Sequence, residues 1–335
     1  MGLTNKETSN REFIKILPGI LVSLVAIVLI VYLVDWQEVY GALIQAELSY
    51  IFLGIPVYLI AYLCRAFAWG TLLGKDIPIK KVFITMQIGY LLNNILPLRL
   101  GELGRALILG RKGLGFWRVL STILIERAFD LILAASLLFG TIPFVFGSSQ
   151  YFQVALIVGV IVLFGMVILH LLARNQDWVI RKIENQSEQR PRLRRLGSTR
   201  IEAFLNGLST LTDVRRFLSV LAWMLVSWGL TIVYQFLVLL AFDPSAKILW
   251  SAFGLAVASL GVALPSSPSY VGVLEAAWIG ALSLFNVGIS TALAYAITVH
   301  ILHIIISIIF GTFGLIKEGE TLNKLYSDLR NRRLE

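Results

Sequence analysis

The sequence is poor in charged residues and almost free of cysteine. Charged residues make up 15% of the 335 residues, and Cys64 is the one cysteine. A lone cysteine in an apolar run excludes a disulfide framework and a Cys/His metal cluster. The sequence also lacks a P-loop, a G-x-S-x-G motif and an H-E-x-x-H motif. We therefore expect no metal, no cofactor and no enzymatic activity.

Hydrophobic residues dominate instead, at 57% of the chain, which is the composition of a membrane protein. The longest hydrophilic stretch, residues 174–216, is too short and too poor in apolar residues to form a core of its own. The net charge of +9 does not require nucleic acid, because membrane proteins collect basic residues on their cytoplasmic side. The sequence thus predicts one transmembrane domain over residues 1–335, in contact with membrane lipids.

Six apolar runs are long enough to cross a membrane, since a helix needs about 20 apolar residues to span a hydrocarbon core of about 30 Å. The first run is too long for a signal-peptide core and reads as an uncleaved span. The predicted spans are Ile14–Val34, Tyr50–Leu73, Val119–Phe146, Tyr151–Ala173, Phe217–Phe242 and Thr291–Ile316.

Two further apolar regions are each interrupted by proline. Region Val82–Gly110 breaks at Leu96-Pro97, and region Ile248–Phe285 breaks within residues 264–270. As helices, the arms of the first region would reach only about 20–22 Å, which favours a re-entrant hairpin over two crossings. The arms of the second reach about 22–26 Å, so two thin crossings remain an alternative there.

The distribution of charge predicts the orientation. The connector Asp35–Ser49 has acidic residues and neither lysine nor arginine, whereas basic residues follow the second span and fill residues 174–216 and the C-terminal tail. Under the positive-inside rule both termini are cytoplasmic, in a multi-pass protein of the cell (plasma or inner) membrane. The oligomeric state is left open, a homo-oligomer included.

The order span, hairpin, span occurs twice, in residues 50–146 and in residues 217–316. An odd number of predicted crossings separates the two halves, so they have opposite orientations. Paired broken segments in inverted halves indicate a transport site near the midplane. The predicted fold class is all-α, a polytopic membrane protein with six full transmembrane helices and two broken or re-entrant helical hairpins in an inverted repeat.

Charged and amide side chains cluster at the first break and early in the third span. Each charge at mid-bilayer depth costs roughly 2.5–3.5 kcal/mol, so these groups are expected to face an interior site. They form either a salt-bridge network that locks the hairpin or a phosphate site, for which the planar guanidinium group is well suited. The candidate substrate-binding residues are Asn93, Asn94, Arg99, Glu102, Arg105, Glu126, Arg127, Asp130 and Glu275.

His300 and His303 lie three residues apart on one face of the last span. They read either as hydrogen-bonded packing residues or as a proton relay. No third metal ligand is evident nearby in the sequence, so no metal site is predicted.

Three segments resemble the lysylphosphatidylglycerol synthase transmembrane-region family of flippase-like membrane proteins: Asn-Asn-Ile-Leu-Pro-Leu-Arg-Leu-Gly-Glu-Leu-Gly-Arg (93–105), Ser-Thr-Ile-Leu-Ile-Glu-Arg-Ala-Phe-Asp (121–130) and Leu-Pro-Ser-Ser-Pro-Ser-Tyr-Val-Gly-Val-Leu-Glu-Ala-Ala (264–277). The resemblance covers nearly the whole chain. It implies movement of aminoacylated phospholipid between leaflets, and its relatives are linked to polyprenyl-linked sugar and other lipid pathways. It also implies roles near the lipid headgroup for Arg99, Glu102, Arg105, Glu126, Arg127 and Glu275.

The chain departs from that family in two ways. Where the family's second tip usually reads Pro-Gly-Gly, this chain has Pro268-Ser269-Tyr270. The soluble aminoacyl-transferase domain of the full synthase is absent, so the chain is not expected to make lysyl-lipid itself.

These observations favour a lipid translocase that moves a phospholipid or a lipid-linked intermediate between leaflets, with the phosphate held by buried arginines. One alternative is a proton-coupled secondary transporter of a small anionic solute, using Glu275 or His300. Another is a membrane-embedded transferase acting on a lipid carrier, with Glu102 or Asp130 as base.

Overall fold

The computed structural model describes residues 21–74, 77–96, 100–147, 151–153, 156–161, 164–165, 212–263 and 267–330, with Gly19 and Asn175. All regular structure in these ranges is helical, with no strand among them, which confirms the all-α prediction. The helices are α1 (Leu21–Leu33), α2 (Trp36–Gln45), α3 (Leu48–Leu73), α4 (Ile79–Ile95), α5 (Leu100–Leu109), α6 (Phe116–Phe146), α7 (Val214–Leu240), α8 (Ile248–Gly261), α9 (Val273–Ser283), α10 (Ile289–Glu318) and α11 (Leu322–Arg330).

Four of these helices, α3, α6, α7 and α10, are long and apolar enough to cross a membrane. Their ends lie within three residues of the corresponding predicted spans. Helices α1 and α2 meet at a bend of 87° and count together as one further broken span. The described residues therefore support four or five spans of a multi-pass membrane protein. The predicted count of six also rests on Tyr151–Ala173, most of which lies outside the described residues.

Both predicted breaks separate two short helices. Helix α4 has 17 residues and α5 has 10, which correspond to about 25 Å and 15 Å of helix. Helices α8 and α9 have 14 and 11 residues, or about 21 Å and 16 Å. Each arm is thus shorter than a hydrocarbon core of about 30 Å. We call α4 and α5 the first hairpin, and α8 and α9, with the 3-10 turn Pro268–Tyr270 between them, the second hairpin.

Glycine lets the two arms of the first hairpin pack closely. A Cβ atom on Gly101 would lie 2.0 Å from the carbonyl oxygen of Gly89, and one on Gly104 would lie 2.3 Å from Leu92 Cδ1. Small residues at such crossings let helices in a membrane approach closely. Across the break, Asn93 Oδ1 accepts a hydrogen bond from the N–H of Gly101 at 2.8 Å. Asn93 therefore satisfies one of the free backbone donors at the start of α5.

The two halves of the chain, α3–α6 and α7–α10, pack through matching elements. Helix α3 lies along α7, α4 packs against α10, and α8 packs against α6. Gly311 and Gly314 of α10 admit the side chains of Leu91 and Ile88 from α4. The first helix of each hairpin thus rests on the last helix of the opposite half. Trp228 of α7 packs against both main clusters of the apolar core.

Gly101→Ala should destabilise the protein, because the added methyl group meets the backbone of Gly89 and forces α4 and α5 apart. Overpacking of this kind costs about 1–3 kcal/mol. The measurement is the thermal unfolding midpoint in detergent. Gly140→Ala on α6 is the matched control, since a Cβ atom there meets nothing within 4 Å. Equal midpoints for the two variants would contradict the close crossing.

Candidate functional site

A buried carboxylate joins three helices in the first half. Glu126 of α6 accepts hydrogen bonds from Arg65 Nε of α3 at 2.8 Å and from Arg105 Nη2 of α5 at 2.6 Å. The guanidinium group of Arg105 also lies over the ring of Trp69, with its Cζ atom 3.9 Å from the centroid. Trp69 in turn donates to Thr122 at 3.1 Å. Glu126 thus fixes the first hairpin to α3 and α6.

Asp130 extends this network by one helical turn. It pairs with Arg65, accepts from Trp228 Nε1 at 3.3 Å, and lies 3.3 Å from Arg127 Nη1. Arg127 Nε lies 4.0 Å from Glu102 Oε1 of α5. Both carboxylates thus lie within ion-pair distance of Arg127.

The resulting charge cluster balances three arginines against three carboxylates. Unpaired charges in an apolar interior are costly, whereas paired and hydrogen-bonded ones are tolerated. Its members are Arg65, Arg105, Arg127, Glu102, Glu126 and Asp130.

The members of the cluster differ sharply in exposure. The side chain of Arg105 is 2% exposed, and it lies under Trp69 outside the cavity lining. The side chain of Arg127 is 37% exposed and lines a cavity. Among the described residues, Nε of Arg105 and Nε of Arg127 both lack a hydrogen-bond partner. Exposure is therefore what separates the two: Arg105 is enclosed by its neighbours, whereas Arg127 is open to the cavity.

The cavity beside Arg127 has a volume of about 260 Å³ and lies between the two halves of the chain. Arg65, Arg127 and Asp130 line its charged end. A second cavity of about 220 Å³ shares the wall at Tyr58 and His303 and extends toward α8 and α9. The two spaces together form a path from the charge cluster toward the second hairpin.

The middle of this path is lined by tyrosine hydroxyl groups, which are not among the site residues predicted from the sequence. The hydroxyl of Tyr58 donates to that of Tyr62 at 2.8 Å, and it lies 2.5 Å from Nδ1 of His303. Tyr62 also contacts the ring of Tyr90 edge-on. The spacing of Tyr58, Tyr62 and Arg65 at i, i+4 and i+7 within an apolar span was a signal for one polar helix face.

A second polar chain connects the tips of the two hairpins. Glu275 Oε1 lies 2.5 Å from Nδ1 of His300, and Nε2 of His300 lies 3.0 Å from the hydroxyl of Ser269. That hydroxyl lies 3.3 Å from Oδ1 of Asn94 at the end of α4. Ser269 and Tyr270 have φ angles of 59° and 63°, the left-handed region that favours glycine.

The predicted site residues therefore fall into two groups, with two exceptions. Asn93, Glu102, Arg105, Glu126, Arg127 and Asp130 lie in or beside the charge cluster, while Asn94, Glu275 and His300 lie in the chain at the hairpin tips. His303 joins the tyrosines of the cavity. Arg99 lies outside the described residues. Among the residues that the structure describes, no cluster of three potential metal ligands occurs.

Glu126→Gln should lower the thermal unfolding midpoint strongly, because Arg65 and Arg105 lose their shared buried partner. Removing one partner of a buried ion pair costs about 3–5 kcal/mol. Glu47→Gln, at an exposed carboxylate before α3, is the control and should change stability little. Adding Arg105→Met to Glu126→Gln should recover part of the loss. A wild-type midpoint for Glu126→Gln would show that the network does not hold these helices.

Two comparisons place the chain among known proteins. The family model described as lysylphosphatidylglycerol synthase TM region matches residues 16–311. The UPF0104 membrane protein MJ1078 of Methanocaldococcus jannaschii is 28% identical over 234 residues, which cover 66% of this chain and 91% of that relative. Since the family model covers most of the chain, the protein belongs to the lysylphosphatidylglycerol synthase transmembrane-region family.

Proposed function

We propose that the protein moves a phospholipid or a lipid-linked intermediate between leaflets, with its phosphate held at Arg127. The observation that carries this proposal is the cavity between the two halves, whose wall presents Arg127 and Arg65 beside tyrosine and tryptophan side chains. A positive group beside aromatic rings suits an anionic headgroup that remains attached to acyl chains.

Arg127 is the phosphate ligand in this proposal because it has donors to spare. A guanidinium group has five N–H donors, and phosphate oxygens accept two of them side by side. Arg127 lies 3.3 Å from Asp130, 3.9 Å from Glu126 and 4.0 Å from Glu102, and contacts of this length leave donors available for phosphate. Arg65 and Arg105 are held by Glu126 and act as supports. Asp130 and Glu102 compete for Arg127 when the cavity is empty.

Movement across the membrane requires access from both sides, and the paired hairpins provide a route. The order long helix, two short helices, long helix occurs in both halves, and each hairpin packs on the opposite half. We therefore interpret the fold as an inverted repeat with two re-entrant hairpins. Alternate opening of the hairpins would expose the headgroup to each leaflet in turn, while the acyl chains stay in lipid.

The orientation follows the positive-inside rule. Arg111 and Lys112 follow the first hairpin and pair with acidic groups at the end of α10 and in α11, so this end is assigned to the cytoplasm of a cell membrane. Glu38 of α2 contacts Ser290 at the other end of α10, so Asp35 and Glu38 are assigned to the opposite side. A lipid would then enter from the cytoplasmic leaflet, near the charge cluster.

A proton-coupled transporter of a small anionic solute is the second candidate. The contact between His300 and Glu275 favours it, because such pairs serve as proton carriers. The family's description refers to a synthase of a phospholipid, which favours the lipid. Competition decides between them: free inorganic phosphate displaces a solute at low concentration, whereas a lipid is displaced only by another lipid.

Arg127→Gln should slow the movement of a fluorescent phospholipid in proteoliposomes by roughly tenfold or more. The reason is the loss of charge-assisted hydrogen bonds to phosphate, each worth about 1.5–3 kcal/mol. Arg127→Lys should be intermediate, since it keeps the charge and loses the planar fork.

Arg118→Gln is the matched control, because Arg118 is an exposed arginine on the same helix outside the cavity. It should move lipid at the wild-type rate. Unfolding midpoints for all three variants establish that they are folded. Wild-type movement by a folded Arg127→Gln protein would refute the assignment of the phosphate to Arg127.

A further inference from the structure

The chain of hydrogen bonds at the hairpin tips has one fixed end at Asn94. The hydroxyl of Ser307 donates its proton to the carbonyl oxygen of Ile304 at 2.8 Å, so its oxygen accepts from Nδ2 of Asn94 at 2.6 Å. The amide of Asn94 therefore turns its oxygen, which can only accept, toward Ser269.

The other end is fixed at Glu275. Its Oε2 atom accepts the backbone N–H of Gly272 at 2.7 Å. Glu275 lies in the first turn of α9, where the helix dipole favours a negative charge. An ionised Glu275 accepts through Oε1 from Nδ1–H of His300, which leaves Nε2 of His300 to face Ser269.

The hydroxyl of Ser269 has one proton for two neighbours. When His300 is neutral and its proton lies on Nδ1, Nε2 is an acceptor, and so is Oδ1 of Asn94. Ser269 can then donate to only one of them, and the other loses its partner. This loss is more unfavourable for His300, which is buried, than for Asn94, which is half-buried. A second proton on His300 turns Nε2 into a donor. Ser269 then accepts from His300 and donates to Asn94, and every group in the chain is paired.

We propose that His300 is a binding site for one proton, and that binding of this proton closes the contact between the tips of the two hairpins. The proton also brings the His300–Glu275 pair from a net charge of −1 to neutrality, which the membrane interior favours. When His300 has lost this proton, Ser269 donates to Nε2 of His300, and the contact with Asn94 is released. The site would couple movement of the hairpins to pH or to a proton gradient, whatever the cargo.

The other titratable groups near His300 either stay protonated in the neutral range or make contacts elsewhere. The phenols on the shared cavity wall stay protonated in the neutral range. His303, one turn further on α10, is engaged by the hydroxyl of Tyr58. Glu38 of α2 contacts Ser290, ten residues before His300. The phenols of that wall belong to Tyr58, Tyr62, Tyr234 and Tyr270.

The strained backbone at the tip supports a role for the Ser269 hydroxyl. At a φ of 59°, glycine would fit with less strain, yet a serine stands there and supplies the one group that reaches both His300 and Asn94. Ser269→Gly therefore removes the hydroxyl and relieves the strain together. This substitution tests the switch without endangering the fold.

The test is the distance between the hairpin tips as a function of pH. Ile95 and Val271 are 48% and 42% exposed and lie at the first and second tips. Spin labels at Ile95→Cys and Val271→Cys in a Cys64→Ala background report that distance in lipid nanodiscs. Between about pH 5 and pH 8, the range in which histidine titrates, the wild type should gain a population with longer distance as the pH rises. Ser290→Ala, at a buried hydroxyl elsewhere on α10, should keep this shift.

His300→Gln and Ser269→Gly should both lose the pH-dependent shift. Two results would overturn the proposal. One is a constant distance in the wild type, and the other is a shift that His300→Gln retains, whether or not His303→Gln loses it. Lipid movement is measured in parallel. Movement with a constant tip distance refutes the proton site alone, whereas a pH-dependent tip distance without lipid movement refutes the lipid function alone.

Discussion

The pairing of buried arginines with Glu126 is the interaction on which the rest of the structure depends. Charges at membrane depth persist only where they are neutralised and hydrogen-bonded. Glu126 accepts from Arg65 and Arg105 at once, and so it ties α3 and α5 to α6. Glu126 pairs with these two arginines at short distance, whereas Arg127 lies at the cavity wall and makes longer contacts with its carboxylates. Stability and the proposed binding of phosphate thus come from different arginines of the same cluster.

Close packing of short helices provides the second constraint. The arms of the first hairpin approach until Gly89 and Gly101 are in backbone contact, and α4 rests on glycines of α10. Helices α5 and α9, with 10 and 11 residues, are too short to cross a hydrocarbon core of about 30 Å. The tips of the two hairpins meet through Asn94 and Ser269. A side chain that takes part in this polar contact can influence both hairpins.

Much of the fold could be predicted from the sequence, because long apolar runs and proline breaks are local features. The four long helices and both breaks lie where hydropathy and Pro97 and Pro265 placed them. The bend of 87° between α1 and α2 was not predicted, because α2 lies within residues 35–49, which the sequence analysis took as an acidic connector.

The candidate site was harder to predict, because which charges meet depends on contacts between distant helices. The sequence singled out charged residues of the cluster. It gave no means of ranking Arg105 against Arg127, since their difference lies in burial and in the stacking of Arg105 on Trp69. Tyr58 and Tyr62 were overlooked because tyrosine in a span reads as an interfacial or packing residue.

The most direct test of this account is an experimental map of the protein in a lipid bilayer, examined at the cavity between the two halves. The account predicts density for a lipid headgroup whose phosphate lies within hydrogen-bond distance of the Arg127 guanidinium group, with acyl chains that lead out to the bilayer. Lipid density confined to the outer apolar surface, with Arg127 still paired to Asp130 at saturating lipid, would contradict it.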